Sequence, residues 1–262
     1  MDNAIAIITA RGGSKRIPKK NIKMFCGKPI IAYSIEAALK SGIFSEVMVS
    51  TDSEEIAEIA RKYGANVPFM RSEATSGDFA TTSDVLLEVL DQYEKLGHTY
   101  TYMCCIYPTA PFVTGEKLKE GLDLLKKHNA LEAMPVVQFS YPPQRAFVIN
   151  SDNQMEYKEK QYITARSQDL RKEYHDAGQF YFYNILHYLP FHYAQKYYML
   201  HLKVLFFGHM YILQENKHTY KHALVKYHYQ VVLQVAMLQT YRFFRHHYKI
   251  HDIILKYTEM IV

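Results

Sequence analysis

No stretch of eighteen apolar residues occurs in this 262-residue chain, so nothing in it reads as a membrane-crossing helix, and no membrane partner is expected. The N-terminus lacks the basic and apolar run of a secretory signal and goes straight into a strand-like segment. A cytoplasmic location is therefore expected. Cysteine is scarce. Cys26, Cys104 and Cys105 are an odd number with one adjacent pair and no C-x-x-C spacing, which suits a reducing compartment and excludes a disulfide framework. Cys104 and Cys105 read as strand residues rather than as metal ligands. A polyanion-binding surface is missing as well. The net charge is +5, yet residues 1–185 hold 22 Lys/Arg against 23 Asp/Glu, so no nucleic-acid partner is expected.

The last part of the chain lacks other things. Residues 186–262 contain one glycine (Gly208), one proline (Pro190) and three acids, but ten of the thirteen histidines and eleven of the twenty-three tyrosines. Few turn signals survive there. His246, His247 and His251 have helical spacing for zinc, but no cysteine or carboxylate cluster accompanies them. The cations are scattered and form no obvious basic face. So abrupt a break near Ile185 is what a shifted reading frame produces, and residues 185–262 are expected to be an atypical Tyr/His-rich tail of that origin.

What is present begins with Ala4-Ile5-Ala6-Ile7-Ile8, short, β-rich and unbroken, as in a strand buried on both faces of a parallel sheet. Directly after it, Gly12 and Gly13 stand among Arg11, Lys15, Arg16, Lys19 and Lys20. Glycine can take positive φ and lets backbone N–H groups approach an anion, while the cations supply charge. The loop fits neither the Walker pattern nor the dinucleotide fingerprint. Taken alone, it could equally be a solvated basic turn.

Helical spacing over residues 29–39 ends near Gly42, and residues 46–51 read as a second strand. Thr51-Asp52-Ser53-Glu54-Glu55 offers capping chemistry before an amphipathic helix over 56–63. A short strand is expected at 67–69, a helix over 83–95, a strand over 102–107, a helix over 114–127 and a strand over 133–139. This alternation predicts an α/β fold with a mostly parallel, doubly wound sheet and ligands at the carboxyl ends of its strands. From Tyr141 the pattern changes to a hairpin, residues 145–149 and 154–157 around Asn150-Ser151-Asp152-Asn153. One domain over 1–184 with a small subdomain at about 139–175 is expected.

The run A-R-G-G-S-K-R-I-P-K-K-N at residues 10–21 resembles the first signature of the sialic acid and 3-deoxy-octulosonate cytidylyltransferases. These enzymes activate acidic sugars with CTP. Arg71, followed after a spacer by Asp78-Phe79-Ala80-Thr81-Thr82-Ser83-Asp84, is similar to the family segment that holds cytosine and ribose, with Arg71, Ala80 and Thr82 matching. By composition that segment is also an ordinary capped helix start. Tyr107-Pro108-Thr109-Ala110-Pro111-Phe112 stands where the family has Gln-Pro-Thr-Ser-Pro. The Tyr version resembles the branch acting on pseudaminic acid, a bacterial sialic-acid-like sugar used to decorate flagella.

Residues 162–184 complete the likeness. Arg166 suits a sugar carboxylate through its planar fork, and Gln168, Asp176 and Gln179 match sugar-facing positions. His175 and Asp176 invite a catalytic-dyad reading, but neighbours in an extended segment seldom face each other.

The resemblance implies a nucleotide-diphospho-sugar transferase-like fold and a homodimer in which the small subdomain completes the neighbour's sugar site. It implies that Arg11, Gly12, Gly13, Ser14, Lys20 and Asn21 hold the triphosphate, with Lys20 and Arg11 nearest the chemistry, and that Arg71, Ala80 and Thr82 bind the nucleoside. Tyr107, Arg166, Gln168, Asp176 and Gln179 would face the sugar. The anomeric hydroxyl of an acidic nine-carbon sugar would then attack the α-phosphorus of CTP with Mg²⁺ as cofactor. The family's metal-holding Asp-x-Asp is missing after Gly178. The rivals are an inactive nucleotide-binding remnant, or the same reaction on N-acetylneuraminic, legionaminic or octulosonic acid.

Overall fold

Ala4 to Ile8 have no exposed surface at all, which a strand achieves only inside a sheet covered on both faces. The structure, a computed structural model, describes residues 3–186, 188 and 189. The chain divides between Ile185 and Leu186. The fold described is that of the first unit, and the expectations for the tail, His246, His247 and His251 included, lie outside the described residues.

In chain order the strands are β1 (Ala4–Thr9), β2 (Met24–Phe25), β3 (Lys28–Pro29), β4 (Glu46–Ser50), β5 (Tyr102–Ile106), β6 (Glu132–Ala133), β7 (Val136–Gln138), β8 (Phe147–Ile149), β9 (Met155–Tyr157), β10 (Tyr174–Asp176) and β11 (Phe180–Asn184). The helices are α1 (Ile30–Ser41), α2 (Glu54–Lys62), α3 (Glu73–Ser76), α4 (Thr82–Lys95) and α5 (Gly115–Lys127). The main sheet has the order β4-β1-β5-β11-β6. β4 and β5 run parallel to β1, and β11 is antiparallel to both of its neighbours. One strand of five therefore runs against the rest, and the sheet is mostly parallel.

Side chains alternate across it. Ala6 and Ile8 of β1, Val47 and Val49 of β4, Cys104 and Ile106 of β5, and Phe180 and Phe182 of β11 share one core with Ile31, Ile35, Ile56, Leu118 and Leu122 of α1, α2 and α5. The period of two leaves Ile5 and Ile7 for the opposite face, where α4 lies against β1. Gly121, in the middle of α5, marks a close approach: a Cβ there would sit 3.0 Å from Phe182 Cδ2. That contact explains a glycine where helix propensity disfavours one.

Termini follow their chemistry. α1 stops at Gly42, left-handed at φ 66°, whose N–H donates to the Leu39 carbonyl. α4 begins with a reciprocal box: Asp84 N–H donates to Thr81 Oγ1 at 3.1 Å, and Thr81 N–H donates to Asp84 Oδ2 at 3.0 Å.

Two expected strands differ. The segment 133–139 is two strands in two sheets, because Pro135 breaks it after β6; β7 then pairs with β10. No strand forms at 67–69. Asn66 alone bridges to the edge strand β4, its N–H donating to the Val47 carbonyl at 2.9 Å, and Pro68 brings no donor to continue the ladder. The hairpin of β8 and β9 forms as expected, with Asn150 Oδ1 accepting from the Asp152 and Gln154 amides across the turn. Among the described residues no helix is long and apolar enough to cross a membrane.

Candidate functional site

A cavity of about 820 Å³ opens where β1 and β5 end, the side of an open α/β sheet where ligands collect. Its wall comes from three segments. The glycine loop supplies Arg11, Ser14, Lys15, Lys20 and Asn21; the stretch running into the first turn of α4 supplies Arg71, Thr75, Asp78, Ala80 and Thr82; the exit of β5 supplies Tyr107, Pro108 and Thr109. Eight of the residues expected to touch nucleotide or sugar thus meet in one space, Arg11, Ser14, Lys20, Asn21, Arg71, Ala80, Thr82 and Tyr107, whereas Gly12 and Gly13 do not line it.

The loop is built differently from the sequence expectation. Neither Gly12 nor Gly13 takes positive φ; the left-handed residue is Lys19, at φ 52°, which turns the chain into the short 3-10 helix Lys20–Ile22. Gly12 is required by proximity instead, since an added Cβ would lie 3.0 Å from Ser53 Cβ, whereas Gly13 faces open space. The Gly12 N–H donates to Asp52 Oδ1 at 2.7 Å, and Asn21 Nδ2 donates to the Arg11 carbonyl at 2.9 Å. Asp52, expected to cap α2, is thus turned to the loop. Ser53 stands at the N-cap without a side-chain capping bond.

Arg71 is buried, at 9% exposure. Its Nε donates to Ser50 Oγ at 3.0 Å and its Nη2 to the Ser50 carbonyl at 2.7 Å. Burial lowers the guanidinium's pKa from its ordinary value, and the nearby charges of Asp52 and Glu88 oppose that. Glu88 of α4 also fixes the backbone beside Arg71, accepting from the Ser72 N–H at 2.8 Å and from the Thr75 hydroxyl. A guanidinium so anchored is a rigid donor pointing at the cavity.

Tyr107 is held through its backbone. Its N–H donates to the Gln179 carbonyl at 2.9 Å, and its own carbonyl accepts from Ser34 Oγ at 2.8 Å. Gln179 therefore acts on the cavity through its main chain. The Tyr107 ring lies 5.3 Å from that of Tyr181, whose hydroxyl donates to Asp176 Oδ2 at 2.5 Å. Burial first, then the bond to Asp176, raises the Tyr181 phenol's pKa from its ordinary value.

The remaining sugar candidates lie elsewhere. Arg166, Gln168 and Asp176 do not line the cavity. Arg166 is exposed and pairs with Asp169 at 2.6 Å. His175 Nδ1 lies 2.9 Å from the Asp176 carbonyl rather than its carboxylate, so the adjacent pair is no catalytic dyad. Cys104 and Cys105 are fully buried, and burial pushes the Cys105 thiol up to about 12, which fits plain strand residues.

No group of three or more metal-ligating side chains occurs among the described residues. The one carboxylate lining the cavity, Asp78, is taken by Arg11 and Lys15. The described residues therefore do not fit a protein-held Mg²⁺.

Sequence reasoning missed Asp52, Ser50, Asp78 and Glu88. Each had a bland local reading as cap, strand end, loop or helix residue.

Comparison with known proteins agrees with the geometry. The family model described as Cytidylyltransferase matches residues 5–247. The chain is 46% identical over 178 residues to a pseudaminic acid cytidylyltransferase of Campylobacter jejuni subsp. jejuni serotype O:2, covering 68% of this chain and 77% of that protein. It is 37% identical over 179 residues to a Helicobacter pylori protein that combines a pseudaminic acid cytidylyltransferase with a hydrolase, covering 68% of this chain and 34% of that one. In fold it is similar to a CMP:2-keto-3-deoxy-manno-octonic acid synthetase solved with CTP, at a TM-score of 0.55 and 21% identity over 79% of this chain and 87% of that one. The sheet with its single reversed strand is thus a nucleotide-diphospho-sugar transferase-like fold. With the family match spanning residues 5–247 and the Campylobacter relative covered over 77% of its length, the chain belongs to the cytidylyltransferase family.

Proposed function

We propose that this chain transfers the cytidylyl group of CTP to pseudaminic acid, giving the CMP-sugar and pyrophosphate in the cytoplasm. One observation carries the reading: a single cavity unites the cationic glycine loop, the buried Arg71 and the Tyr107 turn. These are the three surfaces that a triphosphate, a nucleobase with its ribose, and an acidic sugar would each need. Arg11, Ser14, Lys20 and the Gly13 amide would take the phosphates, while the Gly12 amide, already given to Asp52, holds the loop instead. Arg71 and Thr82 would take the nucleoside, and Tyr107 the sugar.

The reaction asks mainly for placement and charge. The sugar hydroxyl attacks the α-phosphorus, pyrophosphate leaves, and the added negative charge spreads over phosphate oxygens. Lys20 and Arg11, cations lining the cavity, are suited to stabilise it. Mg²⁺ enters this reading as part of the CTP complex, without a ligand among the described residues.

We further propose a homodimer through the small subdomain. Val137, Phe139, Tyr141, Phe147, Ile149 and Met155 are exposed there, apolar surface that a second copy would cover. A pair built on this face would bring Arg166 and Gln168 to the neighbour's cavity.

The test is pyrophosphate release from CTP and Mg²⁺ with pseudaminic, N-acetylneuraminic, legionaminic and octulosonic acids. Turnover fastest with pseudaminic acid supports the reading. CTP binding without turnover on any sugar makes the chain a binding-only remnant.

A further inference from the structure

Two cations of the cradle already hold an anion. Arg11 Nη1 lies 3.1 Å from Asp78 Oδ1, and the Lys15 ammonium pairs with Asp78 Oδ2. Arg11 Nη1 also donates to the neighbouring Gly77 carbonyl at 3.1 Å. All three charged residues line the cavity, and Asp78 brings the one carboxylate found in its wall. Beyond the turn closed by the Ala80 N–H on the Gly77 carbonyl at 3.3 Å, little else holds the segment. Phe79 is 99% exposed, a Cβ on Gly77 would touch nothing, and α3 ends just before, at Ser76. The ion pairs hold the Asp78 carboxyl below the usual carboxylate range, so it stays charged at neutral pH.

We propose that Asp78 is an internal anion that occupies the phosphate cradle until a polyphosphate displaces it. The inference rests on the reading of this loop as a phosphate site. A carboxylate bridging two cations gives them up only to a ligand that offers more charge in the same place. The terminal phosphates of a nucleoside triphosphate, or pyrophosphate, do so; a monophosphate offers far less. Asp78 thus raises the threshold for weakly charged ligands, and its return to Arg11 and Lys15 favours departure of pyrophosphate after transfer. The exposed setting keeps the effect modest, since surface ion pairs are individually weak.

Calorimetric titration of the full chain and of Asp78→Asn and Asp78→Ser, with CTP, CMP and inorganic pyrophosphate, tests this. Both variants should bind CTP and pyrophosphate about three- to tenfold tighter than wild type, and CMP within about twofold. Equal or weaker CTP and pyrophosphate binding by variants that melt like wild type would overturn the proposal. So would loss of the cooperative melt in both variants, which would make Asp78 a structural anchor. The two readings fail separately. Wild-type protein that takes up pyrophosphate but no CTP, with tighter pyrophosphate binding in the variants, sinks the assignment to CTP and leaves the displacement standing. CTP binding equal in wild type and variants does the reverse.

Discussion

The amide of Gly12 donates to the carboxylate of Asp52 across 2.7 Å, tying the glycine loop after one strand to the residue that follows its parallel neighbour. A hydrogen bond to a charged acceptor contributes about 1.5–3 kcal/mol. Here it holds the loop's shape, on which any backbone cradle depends. Asp52→Ala should weaken CTP binding about tenfold or more, and Asp52→Asn, which keeps the acceptor, should recover most of that loss. Titration calorimetry on both variants checks it. Gly12→Ala should behave like Asp52→Ala, because its Cβ would crowd Ser53, while Gly13→Ala, facing open space, should bind CTP as wild type does.

Arg71 joins stability to recognition. Removing its side chain leaves the Ser50 hydroxyl without its buried donor and takes one of two donors from the Ser50 carbonyl, which keeps the Ala10 N–H. Arg71→Ala should destabilise the fold by about 2–4 kcal/mol and abolish measurable CTP binding. Arg71→Lys should recover part of the stability but little of the binding, because an ammonium lacks the planar fork. Urea melts and calorimetry on the same samples separate the two effects.

The glycine loop was legible because strand, glycines and cations follow one another without interruption, so local sequence carries the pattern. The parallel sheet was legible for the same reason, each strand being a short apolar run between turn signals. Asp52, Asp78 and Glu88 were not, because their partners lie 40, 67 and 16 residues away. A carboxylate beside a helix start reads as a cap whichever way it finally points. The split of 133–139 turns on one proline and on the partner that β7 finds in β10, which no local pattern encodes. Positive φ at Lys19 rather than at either loop glycine has the same origin: the backbone path follows from what the loop packs against.

Tyr107 should govern sugar choice. Its backbone is fixed from two directions, so substitution changes the wall of the cavity without releasing the turn. Tyr107→Gln, which installs the residue usual in the resembled family, should lower kcat/KM for pseudaminic acid about tenfold or more, within the 1–3 kcal/mol typical of one altered pocket contact. The KM for CTP should stay within about twofold of wild type. Steady-state kinetics over the four-sugar panel reads both quantities.

The half-buried pair of Glu36 on α1 and Lys28 on β3, 2.7 Å apart, predicts a pH dependence of stability. The hydrogen bond from Lys28 lowers the Glu36 carboxyl from its ordinary value. A depressed folded-state value means that the contribution is complete above the unfolded carboxylate's pKa and is lost as pH falls through the folded one. Glu36→Gln should therefore cost up to about 1 kcal/mol at pH 7, and the difference from wild type should begin to shrink as pH falls past the unfolded carboxylate's value of about 4.3 and vanish only below the lower folded-state one. Urea melts of both proteins across that range measure it.

Calorimetric titration of the folded chain with CTP, repeated on Lys20→Ala and Arg11→Ala, tests the phosphate cradle most directly. Saturable binding of one CTP per chain, weakened about tenfold or more by either substitution, is the predicted result. No uptake of CTP by folded protein, or affinity unchanged in both variants, would contradict it.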